Sequence, residues 1–463
     1  MRLFSKDGQF YKKVFLSGFP IALQTLITVG VGMLDNIMVS RVSRTCFSAT
    51  ALANSYVTVF QIFCMGLGMG ASVLVSRYWG MKSTGDPEGK ADISLKQTIT
   101  LMLRLMLIVA SVFALGALLI PKTIMRTYTD DPILIVVGMK YLKWSIGTFF
   151  FLGLSLVTTI VLRSIGQSRY PLYVSIAALF INLGCNYMLI FGHFGAPRMG
   201  IEGAALATFI ARTFEGLAVF IYLVFVDKKA GYKIRHFFMK TRTLLGEYLR
   251  VCIPVLISDA IYAVGNNAIT MVIGHLGSSF VAANSITAVT QQLSTVVIQG
   301  VCQSGAIITG QTLGNGQRQK AKDQGWLFLG LGFALGSLSA LFIFLAKTPI
   351  ILAYGNKTTP EAVSIAYQLL NSISFIIIFQ ATNSIMTKGV LRGGGDTKML
   401  MLADNIFLWV LALPLGLLAG FVLKLPPFWI YFFLKFDQVA KTIWCVLRLR
   451  SGKWVKKIST GKN

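Results

Sequence analysis

The sequence predicts an all-α membrane protein of about 12 transmembrane helices in two six-helix lobes. Three observations predict it. Charged residues are 13% of the 463 residues, about half the roughly 25% of soluble chains, so most of the folded surface must face lipid. About twelve segments reach the roughly 20 apolar residues that a span needs. The third observation is that the second half of the chain repeats the first.

The spans are expected to start near Val14, Phe47, Thr98, Leu134, Tyr170, Ile201, Val251, Phe280, Trp326, Ala362, Met399 and Phe428. Most connections are short, as in a helical bundle. The longest lies between the sixth and seventh spans and is strongly basic. These segments divide the chain into an N-lobe (1–226), a basic cytoplasmic linker (227–249), a C-lobe (250–448) and a basic cytoplasmic tail (449–463).

The repeat is legible in three places. GFPIALQTLITVGVGMLDNIMVSRV around Pro20 matches CIPVLISDAIYAVGNNAITMVIGHLG around Pro254. ALANSYVTVFQ is echoed by VAANSITAVTQQ, and VLRSIGQSRYP by VLRGGGDTKML. Three matches in one order argue for a duplicated six-span unit. An even span count keeps both copies in one orientation, related by an axis along the membrane normal with a cleft between them.

The net charge of +26 invites a nucleic-acid reading, but its placement answers it. The Lys and Arg residues concentrate in alternate loops and at the ends: Lys228, Lys229, Lys233, Arg235, Lys240 and Arg242, then Arg448, Arg450, Lys453, Lys456 and Lys457. That is the positive-inside pattern. It puts both termini in the cytoplasm of a prokaryotic-type plasma membrane, with anionic lipid as the partner of the charge and no nucleic acid. The start, MRLFSKDGQFYKK, is short and basic and carries no small-residue cleavage site, so it reads as a retained cytoplasmic end. Six cysteines lie scattered in or beside apolar segments without a CxxC or Cys/His cluster. They indicate neither a disulfide framework nor a metal site.

The polar residues within the spans carry the chemistry. Asp35 sits deep in the first span, where a carboxylate costs about 3 kcal/mol on insertion scales; such a residue needs a polar interior or a function. Pro20 lies 15 residues earlier, about 22 Å along a helix. It deletes a backbone hydrogen bond and makes a candidate hinge, although proline in a first turn is also ordinary. Asn182 and Asn186 are four apart and share a helix face, offering amide oxygens to a cation or partners to a protonatable Asp. In the second half Asp404 is intramembrane, with a paired structural role as its alternative. Asp259 is nearer a span end, and Tyr262, Asn266 and Asn267 follow it as candidate cleft residues. Arg212 and Glu215 are three apart and suited to pair with each other. Arg163, Gly166, Arg392, Gly393, Gly394, Gly395 and Asp396 read as short inside turns, since the P-loop lysine pattern is missing.

Together these motifs resemble the multidrug and toxic compound extrusion (MATE) family. The carrying residues are GMLDNIMVSRV with Asp35, NYMLIFGHFGAPRMGIEGAALAT from Asn186 to Thr208, VLRGGGDT, DNIFLWVLALPLG from Asp404, and a basic amphipathic tail containing LKFDQVAK. The resemblance spans nearly the whole chain. It implies a V-shaped pair of lobes that alternate in opening and export amphipathic or cationic compounds, as a monomer, against entry of H⁺ or Na⁺, with no cofactor. It assigns cation response to Asp35, with Asn182, Asn186 and Thr208 as its neighbours. One family pattern has Asp where this chain has Asn186, and fewer negative oxygens would weaken a Na⁺ site. Another branch has Glu and Asp where this chain has Tyr262 and Ala381, so a C-lobe cation site of that kind is not implied.

Three rivals stand beside this reading. A flippase for lipid-linked saccharides, from the same superfamily, would line its cleft with basic residues, but the span interiors offer few: Arg104, Arg212 and Lys388. A membrane enzyme would need a clustered acid/base or metal set, and the sequence has no HExxH and only three His. A channel fits duplicated, proline-bearing bundles less well than alternating access does.

Overall fold

The computed structural model describes residues 8–86, 88–355 and 359–456, and these residues are helical with no strand among them. Lys457 and the end of the tail lie outside the described residues. Eleven helices among those described are long and apolar enough to cross a membrane. They are α1 (Gly8–Ser40), α2 (Arg44–Ser83), α3 (Lys90–Leu119), α4 (Pro132–Ser164), α5 (Arg169–Phe191), α6 (Ile201–Val226), α7 (Arg242–His275), α8 (Ser278–Gly314), α9 (Arg318–Gly355), α10 (Pro360–Leu391) and α11 (Thr397–Val422). The chain is therefore a multi-pass membrane protein. The twelfth segment breaks at Lys435 and Phe436 into α12 (Pro427–Leu434) and α13 (Asp437–Ser451).

Local chemistry sets the helix starts, and the duplication repeats it. Asp131 caps α4 by accepting from Ile133 N at 2.8 Å, with Pro132 next in line. Six helices on, Thr359 caps α10 by accepting from Ala362 N, followed by Pro360. Both are the oxygen cap that satisfies an orphan N–H, followed by a proline whose missing N–H costs nothing there. Exposed apolar side chains such as Phe15, Leu119 and Val410 cover the helix exteriors, as a lipid-facing surface requires.

Two compact units result. The N-unit is Leu23–Leu256. Among the described residues the C-unit takes 8–22 and 257–456. Packing inside them follows one plan: α2, α3 and α6 pack on α4 in the N-unit, while α8, α9 and the α12–α13 pair pack on α10 in the C-unit. The unit boundaries fall inside α1 and α7, two residues after Pro20 and Pro254. The starts of these two helices are seated on small residues. In the C-unit a Cβ on Gly18 of α1 would lie 3.2 Å from the Gly300 carbonyl of α8. In the N-unit a Cβ on Gly70 of α2 would lie 2.7 Å from Cys252 Cα of α7. Pro20 is inside a continuous helix rather than in its first turn.

The GGG run after Arg392 is only partly a turn. Gly395 has φ +83, which favours glycine. Gly393 and Gly394 instead give close contact: a Cβ there would meet the Ala306 carbonyl at 2.6 Å and the Trp454 carbonyl at 2.8 Å. Arg392 is buried and Asp396 is 2% exposed. Asp396 accepts from Arg448 at 2.7 and 3.1 Å. The expectation of short inside turns is corrected accordingly: part of this loop is packed core with a buried ion pair.

Candidate functional site

The N-unit brings Asp35, Asn182 and Asn186 together. Asn186 Nδ2 donates to Asp35 Oδ1 and, at 3.1 Å, to Asn182 Oδ1. The spacing of four puts both amides on one face of α5, and both are buried while Asp35 is half-buried. Asn186 Oδ1 is buried with no hydrogen-bond partner, an acceptor held next to a carboxylate. Among the described residues no Lys or Arg forms an ion pair with Asp35. A single carboxylate, an amide donor and a spare amide oxygen suit the exchange of a small cation or a proton.

A cavity of about 20 Å³ adjoins the trio, lined by Asn182, Thr208, Ser175, Arg212 and Glu215 among others. It has room for about one water. Thr208 thus shares the cavity wall with Asn182. Below it runs a polar chain that the sequence reading missed. Arg163 donates to Gln24 Oε1. Gln24 Nε2 donates to Ser175 Oγ at 2.7 Å, and Ser175 donates to Glu215 Oε1 at 2.9 Å. Glu215 also holds Arg212 at 2.6 Å, the pair expected from their spacing. Arg163 therefore ends α4 pointing into this chain rather than sitting in a loop. Gln24, an amide set in an apolar stretch of α1, was the available signal.

The second polar group lies in the C-unit. Asp404 of α11 is 7% exposed and receives Lys441 Nζ of α13 at 3.5 Å. Lys441 also contacts Asp437 at 2.9 Å. Lys441 stands 4.6 Å from the Tyr262 ring centre, and Gln438 Nε2 donates to the Tyr262 hydroxyl at 3.4 Å. Ser258 Oγ donates to Asp404 Oδ2 at 3.4 Å. The structure thus unites Asp404 and Tyr262. Asp259 is elsewhere engaged, by Arg392 at 3.4 Å. Asn266 donates to the Tyr262 carbonyl of its own helix. The segment LKFDQVAK, read as an amphipathic basic tail, is corrected by burial. Asp437 is 0% and Lys441 1% exposed, because α13 packs on α10.

The three basic residues that the sequence placed in the span interiors are also committed. Arg104 donates to the carbonyls of Phe237 and Met239 at 3.0 Å, anchoring the 227–249 segment. Arg212 holds Glu215. Lys388 stands 5.5 Å over the Tyr262 ring.

Comparison with known proteins agrees with this layout. The family model described as MatE matches residues 20–188 and 254–418, one copy for each half of the repeat. A probable multidrug resistance protein NorM of Thermotoga maritima is 26% identical over 453 residues, covering 96% of this chain and 93% of the relative. The multidrug resistance protein PmpM of Pseudomonas aeruginosa is 25% identical, covering 88% and 84%. A crystal structure of a MATE protein in the bent conformation has a TM-score of 0.84 at 17% identity, covering 96% of this chain and 97% of its own. An outward-facing multidrug resistance transporter of the same family gives 0.84 at 17%, covering 97% and 99%. These structures share the fold.

Proposed function

The chain belongs to the MatE family, and on that premise we propose that it is a secondary antiporter that exports amphipathic or cationic organic compounds against entry of H⁺ or Na⁺. It is a transporter and not an enzyme. We place it in a bacterial plasma membrane, working as a monomer with both termini cytoplasmic.

The observation that carries the coupling reading is Asp35. It is set in a long apolar helix, hydrogen-bonded by Asn186 and paired with no cation among the described residues. In the ionised state it attracts a cation. Neutralised by H⁺ or Na⁺, it loses that attraction. A ligand that binds one conformation better than another shifts the population toward it. We assign Asn182, Asn186 and Thr208 to the same coupling site and Pro20 to the hinge that lets α1 respond. Tyr262 and Asp404 form the second polar site; Asp259 and Asn266 stand beside it on α7 with other partners. Two lobes, built on the N- and C-halves of the repeat, would alternate access. The commitment of Arg104, Arg212 and Lys388 to internal partners supports an organic cation over a phosphate-bearing lipid as cargo.

The test is reconstitution in liposomes with a fluorescent organic cation. Efflux driven by an imposed H⁺ gradient, or by a Na⁺ gradient, is the expected result and names the ion. No movement of several such dyes under either gradient, with movement of a lipid-linked saccharide instead, would transfer the chain to the flippase reading.

A further inference from the structure

The C-unit holds a buried charge cluster that does not balance. Two carboxylates, Asp404 and Asp437, face one ammonium, Lys441. All three are at least nine-tenths buried. The polar neighbours come from α7, α10 and α13. Gln438 Nε2 donates to Asp437 Oδ2 at 2.7 Å, and Asn383 of α10 holds Gln438 Oε1 at 2.6 Å. Ser258 and Tyr262 come from α7, and Cys445 lies buried one turn beyond Lys441. Lys388 stands on the Tyr262 ring, and the nearby Asp259–Arg392 pair is neutral in itself. Among the described residues, Lys441 is the cation that pairs with either carboxylate. One oxygen, Asp437 Oδ1, is buried with no hydrogen-bond partner at all.

An unpaired ionised carboxylate in such surroundings is costly, and neutralisation is the usual escape. Two carboxylates that share a site titrate as a pair, not one by one. A metal cation is disfavoured because the ammonium already occupies the space between the oxygens. A proton needs no such space, and the unpartnered oxygen is where a carboxylic acid can carry or receive it. We propose that Asp404 and Asp437, bridged by Lys441, form a second proton-binding site in the C-unit that holds one exchangeable proton and is separate from Asp35. Lys441 is then a positioning residue that keeps the pair from needing a second proton. This goes beyond the exporter reading and holds whether or not Asp35 is the coupling residue.

The experiment is infrared difference spectroscopy of the full-length protein between mildly alkaline and mildly acidic buffer, made in the Asp35→Asn protein. The expected spectrum contains the C=O stretch of a newly protonated carboxyl group. That band should vanish in Asp404→Asn, which leaves Asp437 and Lys441 as a balanced pair, and move in frequency in Asp437→Glu, which keeps the charge and guards against a folding defect. A spectrum with no such band, or a band indifferent to Asp437→Glu, would overturn the proposal.

Discussion

The two units each bury carboxylates in apolar surroundings and treat them in opposite ways. In the N-unit, Asp35 is half-buried and is held by an amide, with a spare amide oxygen beside it. In the C-unit, Asp404 and Asp437 are deeply buried and share a built-in ammonium. One duplicated framework therefore carries an acid with no ion-pair partner among the described residues and an acid pair with a built-in one. The difference teaches that symmetry of fold does not carry symmetry of chemistry. Site residues diverged on a packing plan that the two halves still share.

The comparison can be broken most forcefully at Lys441. Replacing it by Met strands two buried carboxylates and should cost about 3–5 kcal/mol, read as a large drop in thermal stability in detergent. Asp35→Asn has no tethered partner to strand and should stay within about 1 kcal/mol of the wild type, since ordinary substitutions away from such features are small. Equal losses in the two would erase the distinction. Restoring neutrality by removing all three charges, as Lys441→Met with Asp404→Leu and Asp437→Leu, should recover most of the loss, because well-packed apolar groups can replace a buried ion cluster. A triple variant as unstable as the single would show that charge balance is not what the cluster supplies.

Smaller effects sharpen the N-unit side. Gln24→Leu removes both partners of a chain running from Arg163 to Glu215 and should cost about 1–3 kcal/mol, the penalty of unsatisfied buried polar groups. It should leave Asp35 and Asn186 in contact, so a change in ion preference would be unexpected. The last change, Asn186→Asp, is read in ion preference rather than in stability. It turns the donor facing Asp35 into an acceptor and adds negative oxygen, so a Na⁺ gradient should drive transport better relative to H⁺ than in the wild type. An unchanged ratio would remove Asn186 from the coupling site.

Much of this was legible in the sequence, and for physical reasons. Span length, the charge bias of the loops and the repeat follow from the bilayer's thickness and from duplication. Asp35, Asn182 and Asn186 stand out because polar groups in lipid are costly, and a spacing of four puts the amides on one face. What was not legible depended on packing between distant segments. Lys441 and Asp437 read as part of a polar tail. Their burial is decided by the break at Lys435 and Phe436 and by the docking of α13 on α10. Gly393 and Gly394 read as turn residues, yet their role is contact with Ala306 and Trp454. The polar chain through Gln24 joins positions about 150 apart in sequence, and no local pattern announces such a link.

The most direct test of the central claim is dye efflux from liposomes containing the Asp35→Asn protein, run beside the wild type under the gradient that drives it. The account predicts a folded protein of near-wild-type stability whose gradient-driven efflux is lost. Efflux at the wild-type rate from Asp35→Asn would contradict it and move the coupling site to the Asp404–Lys441–Asp437 cluster.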